Sequence, residues 1–357
     1  MMTLRRFTAE PPDVPMSAVW YLADLGEAKG RQELFTRQSP QRLRALREHA
    51  TIESAVSSNR IEGVEIDASR VRAVVLGKPV LRDRNEEEVR GYRDALKLIH
   101  ASAGRLVVSE PTLLDLHRLS RGRIGDAGQY KRKDIDIIET YPDGRSRVRF
   151  KTVPAKRTSA AMGELLSLGA DATEERRLHP LLAVAAFNLD FLCIHPFRDG
   201  NGRVSRLLLL LQWYHLGFEV GRYISIERII EQNKDRYYET LEQSSQGWHE
   251  GQHDPWPYLN YLLYILKEAY RELEDRLGQV KTPRGEKSEV VLDAIHRAEG
   301  DFSVADLQRK CPGVSIDRIR HMLKRLREEG ELEYLGRGRS ARWRRPEGEM
   351  GNRGGIG

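Results

Sequence analysis

Two apolar stretches, residues 178–194 and 207–211, are joined by a short polar, glycine-containing segment. This arrangement constrains the fold more than any other feature of the chain. The first stretch contains Asn188 and Asp190, which suits a buried central helix and argues against a membrane span. The second can only be a buried helix or strand. The segment between reads His195-Pro196-Phe197-Arg198-Asp199-Gly200-Asn201-Gly202-Arg203, with Arg206 following. Gly200 and Gly202 mark a tight turn, so a loop rich in backbone N–H groups feeds a helix start, which is a natural phosphate site. Arg203 and Arg206 are three apart and share a helix face, so both can reach one anion. His195 and Asp199 offer a proton acceptor and an oxygen ligand for a hard metal ion.

These residues match every fixed position of the Fic signature, His-x-Phe-x-(Asp/Glu)-Gly-Asn-Gly-Arg-x-x-Arg, through His195, Phe197, Asp199, Gly200, Asn201, Gly202, Arg203 and Arg206. The chain thus resembles the Fic family. The resemblance implies transfer of AMP from ATP to a Tyr, Thr or Ser hydroxyl of a target protein, or of the chain itself. It also implies Asp199 as the Mg²⁺ ligand, Gly200, Asn201, Gly202, Arg203 and Arg206 as ATP-binding residues, and His195 as the catalytic base. Upstream, Ser58-x-x-x-Glu62-Gly63 resembles the family's inhibitory motif, in which the glutamate pairs with the second signature arginine, here Arg206. A carboxylate there competes with a phosphate oxygen for the same guanidinium fork. The pair Tyr237-Tyr238 resembles one lining the adenine side of the family's pocket.

The chain has 357 residues, enough for two or three domains, with 31% charged and 39% hydrophobic residues. Its two cysteines, Cys193 and Cys311, build neither a disulfide framework nor a zinc cluster, which fits a reducing compartment. The first ten residues hold basic side chains with no apolar core after them, so no signal peptide is expected, and the default location is cytoplasmic.

Along the chain the expected architecture is mainly α. Helical patches fall at 19–28, at 41–57, over 64–104 (within which the helix 85–100 has the charged start Glu86 to Glu88), at 111–119 and at 156–170. One helix starts at Val204, one amphipathic helix spans 225–241, and another spans 256–277. Between 134 and 151 the period changes to two, with Pro142-Asp143-Gly144 as the turn, giving a β-hairpin. In the Fic family a hairpin in this place, the flap, holds target segments as an added strand. Residues 281–287 carry Pro and Gly and mark a boundary. Beyond it, helices at 288–298, 303–311 and 315–329 and a hairpin from 331–334 and 341–344 read as a winged helix-turn-helix.

The division expected is an N-terminal helical region with the inhibitory motif (1–104), a catalytic core (105–280), a linker (281–286), the winged helix (287–346) and a disordered tail (347–357). Residues 281–357 hold 17 Lys/Arg against 13 Asp/Glu, a net +4 of the chain's +6. Arg318, Arg320, Lys324, Arg325 and Arg327 lie on the recognition helix, and Arg337, Arg339, Arg342, Arg344 and Arg345 on the wing. That charge leaves DNA and protein both open as partners, and a homodimer is left open as well. Removal of AMP with Glu62 orienting water, transfer of phosphate or phosphocholine, and nucleotide sensing by a DNA-binding regulator are the competing activities. The family's phosphate-transferring members depart from Gly-Asn-Gly, which this chain keeps.

Overall fold

The computed structural model describes residues 1–36, 40–122, 125–140, 143–174, 178–278, 291–292, 294–295, 298, 300–311, 314–336 and 341–346. The chain divides into two compact units, Met1–Leu277 and Gly278–Gly357.

The first unit is built around α8 (Pro180–Ile194), where every side chain from Leu181 to Ile194 is buried. Its two polar residues are satisfied inside the unit. Asn188 donates to Ser205 O at 2.8 Å and accepts from the Tyr258 hydroxyl at 2.8 Å. Asp190 accepts from Thr3 N (2.8 Å), Leu4 N (2.9 Å) and Trp248 Nε1 (2.7 Å). The Asp190 carboxylate thereby binds the first-turn amides of α1 (Thr3–Ala9), a favourable place for negative charge. Polar groups at the centre of an apolar helix are stable because each finds partners.

Helices α2 (Met16–Thr36), α3 (Pro40–Ile61), α4 (Ala68–Leu76), α5 (Arg84–Ser102) and α6 (Glu110–Arg121) follow α1, and α7 (Ala155–Glu174) and α9 (Asn201–His215) pack with α1 against α8 itself. The unit is completed by α10 (Ile226–Gln232), α11 (Lys234–Ser245) and α12 (Trp256–Gly278). Helices α5 and α6 approach closely at Gly91, where a Cβ would stand 2.1 Å from Leu119 O. One antiparallel hairpin, β1 (Asp136–Thr140) with β2 (Ser146–Lys151), pairs Ile138 with Val148 across a register shift next to Ile137.

Helix α3 runs through Ser58 to Ile61 and the chain turns at Gly63, whose φ is 78°, a usual glycine stop. Two boundaries differ from the sequence reading. Helix α9 starts at Asn201 rather than at Val204, so Gly202 and Arg203 belong to its first turn. The single helix expected over 225–241 is two, broken at Asn233, whose side chain donates back to Ile229 O at 2.9 Å and competes with the backbone ladder. The glutamates at the start of α5 are more than partners of the helix dipole. Glu86 and Glu88 are buried, and Glu86 pairs with Arg70 at 2.8 Å.

In the second unit, α13 (Val304–Lys310) opens on a Ser303–Asp306 capping box, and α14 (Ile316–Glu328) buries Ile319, Met322, Leu323 and Leu326. Strands β3 (Glu333–Leu335) and β4 (Arg342–Arg344) pair antiparallel, and Trp343 joins the same small core. Much of the helix expected at 288–298, together with Arg337, Arg339 and the tail 347–357, lies outside the described residues. Among the described residues no helix is long and apolar enough to cross a membrane.

Candidate active site

The last turn of α8 delivers His195 with φ 51° and ψ 64°. Among the described residues it alone, glycines aside, has a positive φ. A left-handed residue ends the helix and turns the chain at once. Phe197 then plugs the loop into the core. Its ring is fully buried and stacks on His117 at 3.7 Å and 11°. His117 Nδ1 accepts from Gly128 N at 2.9 Å, so Nε2 carries the proton and donates to Asp199 O at 3.0 Å. Burial holds His117 near 4, so this tautomer is neutral. Asn201 closes the loop from the other side. Its Oδ1 accepts from Phe197 N at 2.9 Å and its Nδ2 donates to Phe197 O at 2.8 Å.

Gly200, at φ 84°, starts α9, and no side chain caps that start. The first-turn N–H groups of Asn201, Gly202 and Arg203 therefore face outward with the positive end of the helix dipole. Glu62 covers them. A Cβ on Gly202 would stand 2.1 Å from Glu62 Oε1, so a larger residue there would push that carboxylate aside.

The two signature arginines do not reach one point together, contrary to the expectation from their spacing. Arg203 is buried and engages Glu88 Oε2 at 2.6 Å, Asn59 Oδ1 at 3.3 Å and Asp199 Oδ1 at 3.5 Å. Arg206 donates through Nε to Ser58 Oγ (2.9 Å), and through Nη2 to Ser58 O (2.9 Å) and Glu62 Oε1 (2.8 Å). Its Nη1 is buried and has no partner within hydrogen-bond geometry among the described residues. An orphaned guanidinium nitrogen beside an uncapped helix start is suited to an anion's oxygen. Helix α3, which carries Ser58 and leads into Glu62, is fastened by Ser54, whose hydroxyl donates to Glu227 Oε2 at 2.6 Å. Glu227 also accepts from the Tyr92 hydroxyl at 2.8 Å.

Asp199 sits at the rim with its side chain 47% exposed. It accepts from Arg121 at 2.7 Å and lies 3.4 Å from Arg84. Burial raises its pKa, but Arg121, Arg203 and Arg84 outweigh that and hold the carboxyl below its usual range. Among the described residues no cluster of three or more His, Cys, Asp or Glu could enclose a metal. A divalent cation at Asp199 would have this one ionised carboxylate and take its other ligands from phosphate and water, as Mg²⁺ commonly does.

His195, Glu62, Gly202, Tyr237 and Tyr238 line one cavity of about 240 Å³, closed on the hairpin side by Ile137, Arg149 and Phe150. Burial, with the Lys131 charge adding to it, brings the His195 imidazole down to about 4, so it is neutral and able to accept a proton. Tyr237 and Tyr238 meet edge to face at 5.1 Å. Tyr237 is buried, while the Tyr238 hydroxyl donates to Ile61 O at 3.2 Å. The hairpin is held to α11 by Glu242, which lies 2.7 Å from Arg147 and 3.1 Å from Arg149. Cys193 is buried, as a small core residue would be.

The structure adds Glu88, Arg121, Arg84, His117 and Lys131 to the residues named from sequence. Glu88 Oε1 takes Arg84 and Arg121, both at 2.9 Å, while its Oε2 takes Arg203. Only its position within an acidic helix start hinted at Glu88. Nothing local marked the others.

The fold and this site define a helical domain with an anion cradle at a helix start and a carboxylate from an upstream helix lying over it. A family model described as the Fic/DOC family matches residues 107–212, which include the whole loop. The protein adenylyltransferase Fic of Nematostella vectensis is 28% identical over 213 residues, covering 57% of this chain and 45% of that protein. That of Drosophila melanogaster is 22% identical over 287 residues, covering 73% and 54%. The chain thus spans about half the length of the curated relatives it matches. A solved Fic family protein from Desulfovibrio desulfuricans has a TM-score of 0.60 at 27% identity, covering 96% of this chain and 99% of that one. Fic-1 from C. elegans, at 19% identity and a TM-score of 0.57, covers 78% and 82% and shares the fold. Residues 107–212 thus match the Fic/DOC family, and the chain is similar in fold to solved Fic proteins.

Proposed function

We propose that this chain is a protein adenylyltransferase, moving AMP from ATP to a Tyr, Thr or Ser hydroxyl of a target protein, and that Glu62 holds it in a restrained state. The observation carrying this reading is the contact between Arg206 and Glu62 directly over the uncapped start of α9, in the same cavity as His195. The names of the curated relatives agree with it. The amides of the α9 start bind phosphate oxygens, and Arg206 takes the outermost phosphate once Glu62 withdraws. His195 accepts the proton of the acceptor hydroxyl, whose oxygen attacks the α-phosphorus as pyrophosphate leaves. Mg²⁺ held through Asp199 would neutralise charge on the phosphates. Arg203 and Asn201 support the loop, the first through Glu88 and the second through Phe197. Tyr237 and Tyr238 form the base side of the cavity, and the β1–β2 hairpin receives the target segment as an added strand.

The proposed division of labour is restraint by residues 1–104, catalysis by 105–280 and docking by 287–346, with action in the cytoplasm. Two further readings rest on particular residues. Glu62, partly exposed and in the His195 cavity, can orient water for removal of AMP from a modified target. Exposed Arg318, Arg320 and Lys324 on α14 favour an anionic partner such as DNA. Against that, Arg320, Lys324 and Arg325 each have a carboxylate within 4 Å on the same helix or just beyond it, and Arg344 pairs with Asp301 at 2.6 Å.

The test is transfer of label from α-labelled ATP to protein in lysate, comparing Glu62→Gly with Glu62→Gly/His195→Ala. The first should label and the second should not. Equal labelling would remove His195 from the mechanism. Labelled AMP released from a modified target by the unaltered chain would favour hydrolysis. DNA retention by residues 278–357, with no transfer in Glu62→Gly, would favour a regulator.

A further inference from the structure

A left-handed histidine costs roughly 1–2 kcal/mol unless its surroundings hold it. Beyond the bond from His195 N to Phe191 O at 2.9 Å, the turn is held by one residue far away in sequence. Lys131 donates its backbone N–H to Pro196 O at 2.8 Å and its ammonium to Ile194 O at 3.1 Å. The carbonyls of the two residues flanking His195, Ile194 and Pro196, are therefore both bound by Lys131. The same ammonium donates to Thr152 Oγ1 at 2.7 Å, and the Thr152 hydroxyl donates on to Ile135 O. Ile135 precedes β1 and Thr152 follows β2, so the chain of bonds runs from the His195 turn to both legs of the hairpin. Lys131 is 5% exposed. A methionine would fill that space without the desolvation that a buried ammonium suffers, so the charge and the donors need a use.

We propose that Lys131 is a positioning residue for transfer: it fixes the turn that presents His195, ties that turn to the hairpin receiving the target, and sets its ammonium against the carbonyl that precedes His195. The proposal rests on the reading of His195 as the proton acceptor. Its geometric part sets the separation between a hydroxyl on a strand-bound segment and the imidazole, because both are referenced to one rigid group. Its electrostatic part follows from charge. The ammonium disfavours a second positive charge on His195, whereas Glu62 and Asp199, the other charged groups acting on that ring, favour it. Burial brings Lys131 itself to about 8, with Asp134 and Asp136 opposing that shift, so the ammonium persists at pH 7.

The experiment uses full-length Glu62→Gly as parent and adds Lys131→Met, Lys131→Arg and Thr152→Val. Two readouts are taken: steady-state transfer against pH, and NMR titration of the His195 ring in histidine-labelled protein. Lys131→Met should lower kcat about 10- to 100-fold with KM for ATP unchanged. It should also move the acid limb of kcat/KM and the His195 titration upward together. Lys131→Arg, which keeps charge and donors, should recover part of kcat. Thr152→Val, which removes one hydroxyl and keeps the shape, should lower kcat roughly three- to tenfold. A folded Lys131→Met with an unmoved His195 titration overturns the proposal. Should Lys131→Met not fold, a Thr152→Val variant with parental kcat and pH profile overturns it instead. If the parent transfers no AMP, the adenylyltransferase reading fails, while the titration still reports on Lys131.

Discussion

Replacing Glu62 by glycine removes the carboxylate whose Oε1 lies 2.8 Å from Arg206 Nη2 and covers Gly202. Both Ser58 contacts to Arg206 remain, so the guanidinium keeps its place and only its competitor leaves. A hydrogen bond between charged groups contributes roughly 1.5–3 kcal/mol. The Glu62 side chain is 27% exposed and Arg206 only 3%, so solvent screening on the carboxylate side reduces the figure to about 1–2 kcal/mol. A terminal phosphate that must displace Glu62 recovers that energy in the variant, which is roughly a 5- to 30-fold fall in Kd. Calorimetric titration of the Glu62→Gly chain should show this gain for ATP and at most about a twofold gain for ADP, which has no third phosphate. Glu62→Gln keeps an acceptor oxygen without the charge and should fall between. An equal gain for ATP and ADP would mean that Glu62 obstructs the whole cradle and not the outermost phosphate. No gain for either would refute the competition argument.

Asn201→Ala leaves Phe197 N and Phe197 O without their partners, a loss of about 2–4 kcal/mol. Thermal unfolding should come roughly 5–10 °C lower, and a fall below about 1 °C would show that the loop closes by other means. His117 binds a proton near pH 6.5 when unfolded, but burial holds it to about 4 when folded. The unfolded state therefore binds more protons between those values, and stability falls as pH drops from 6.5 to 4, by at most about 3 kcal/mol for this residue. His100, His195 and His253, each at about 4, act in the same direction. Urea midpoints should decline across that window, and His117→Gln should decline less steeply. Parallel curves would mean that His117 is not the group titrating.

The loop at 195–206 could be read from sequence because its chemistry is local. Two glycines, an amide and the helix they start lie within a few residues, and their geometry follows from backbone rules. The hairpin was legible for the same reason, through its turn and alternating period. What could not be read was where long side chains point. Arg203 and Arg206 share a spacing that suggests a common target, yet Glu88 draws one and Glu62 the other, from 115 and 144 residues away. Glu88 looked like a helix-dipole residue because two of its three arginine partners, Arg121 and Arg203, are far from it in sequence. Lys131 and His117 carried no pattern at all, since a buried lysine or histidine differs from an exposed one only by what packs around it. The break at Asn233 escaped because the apolar period continues across it.

The two amides of α1 that bind Asp190 have a kinetic consequence. Thr3 and Leu4 leave the ribosome 187 and 186 residues ahead of their partner. His253, which lies 2.8 Å from the Thr3 hydroxyl, comes later still. At roughly 5–20 residues per second of synthesis, Leu4 and Phe7 wait about 10–40 s before the surface that buries them exists. So long a loop also makes this closure a late event in refolding of the whole chain. Helix α1 is thus among the last parts of the first unit to settle, and a nascent chain stalled before α8 would present that apolar face to chaperones.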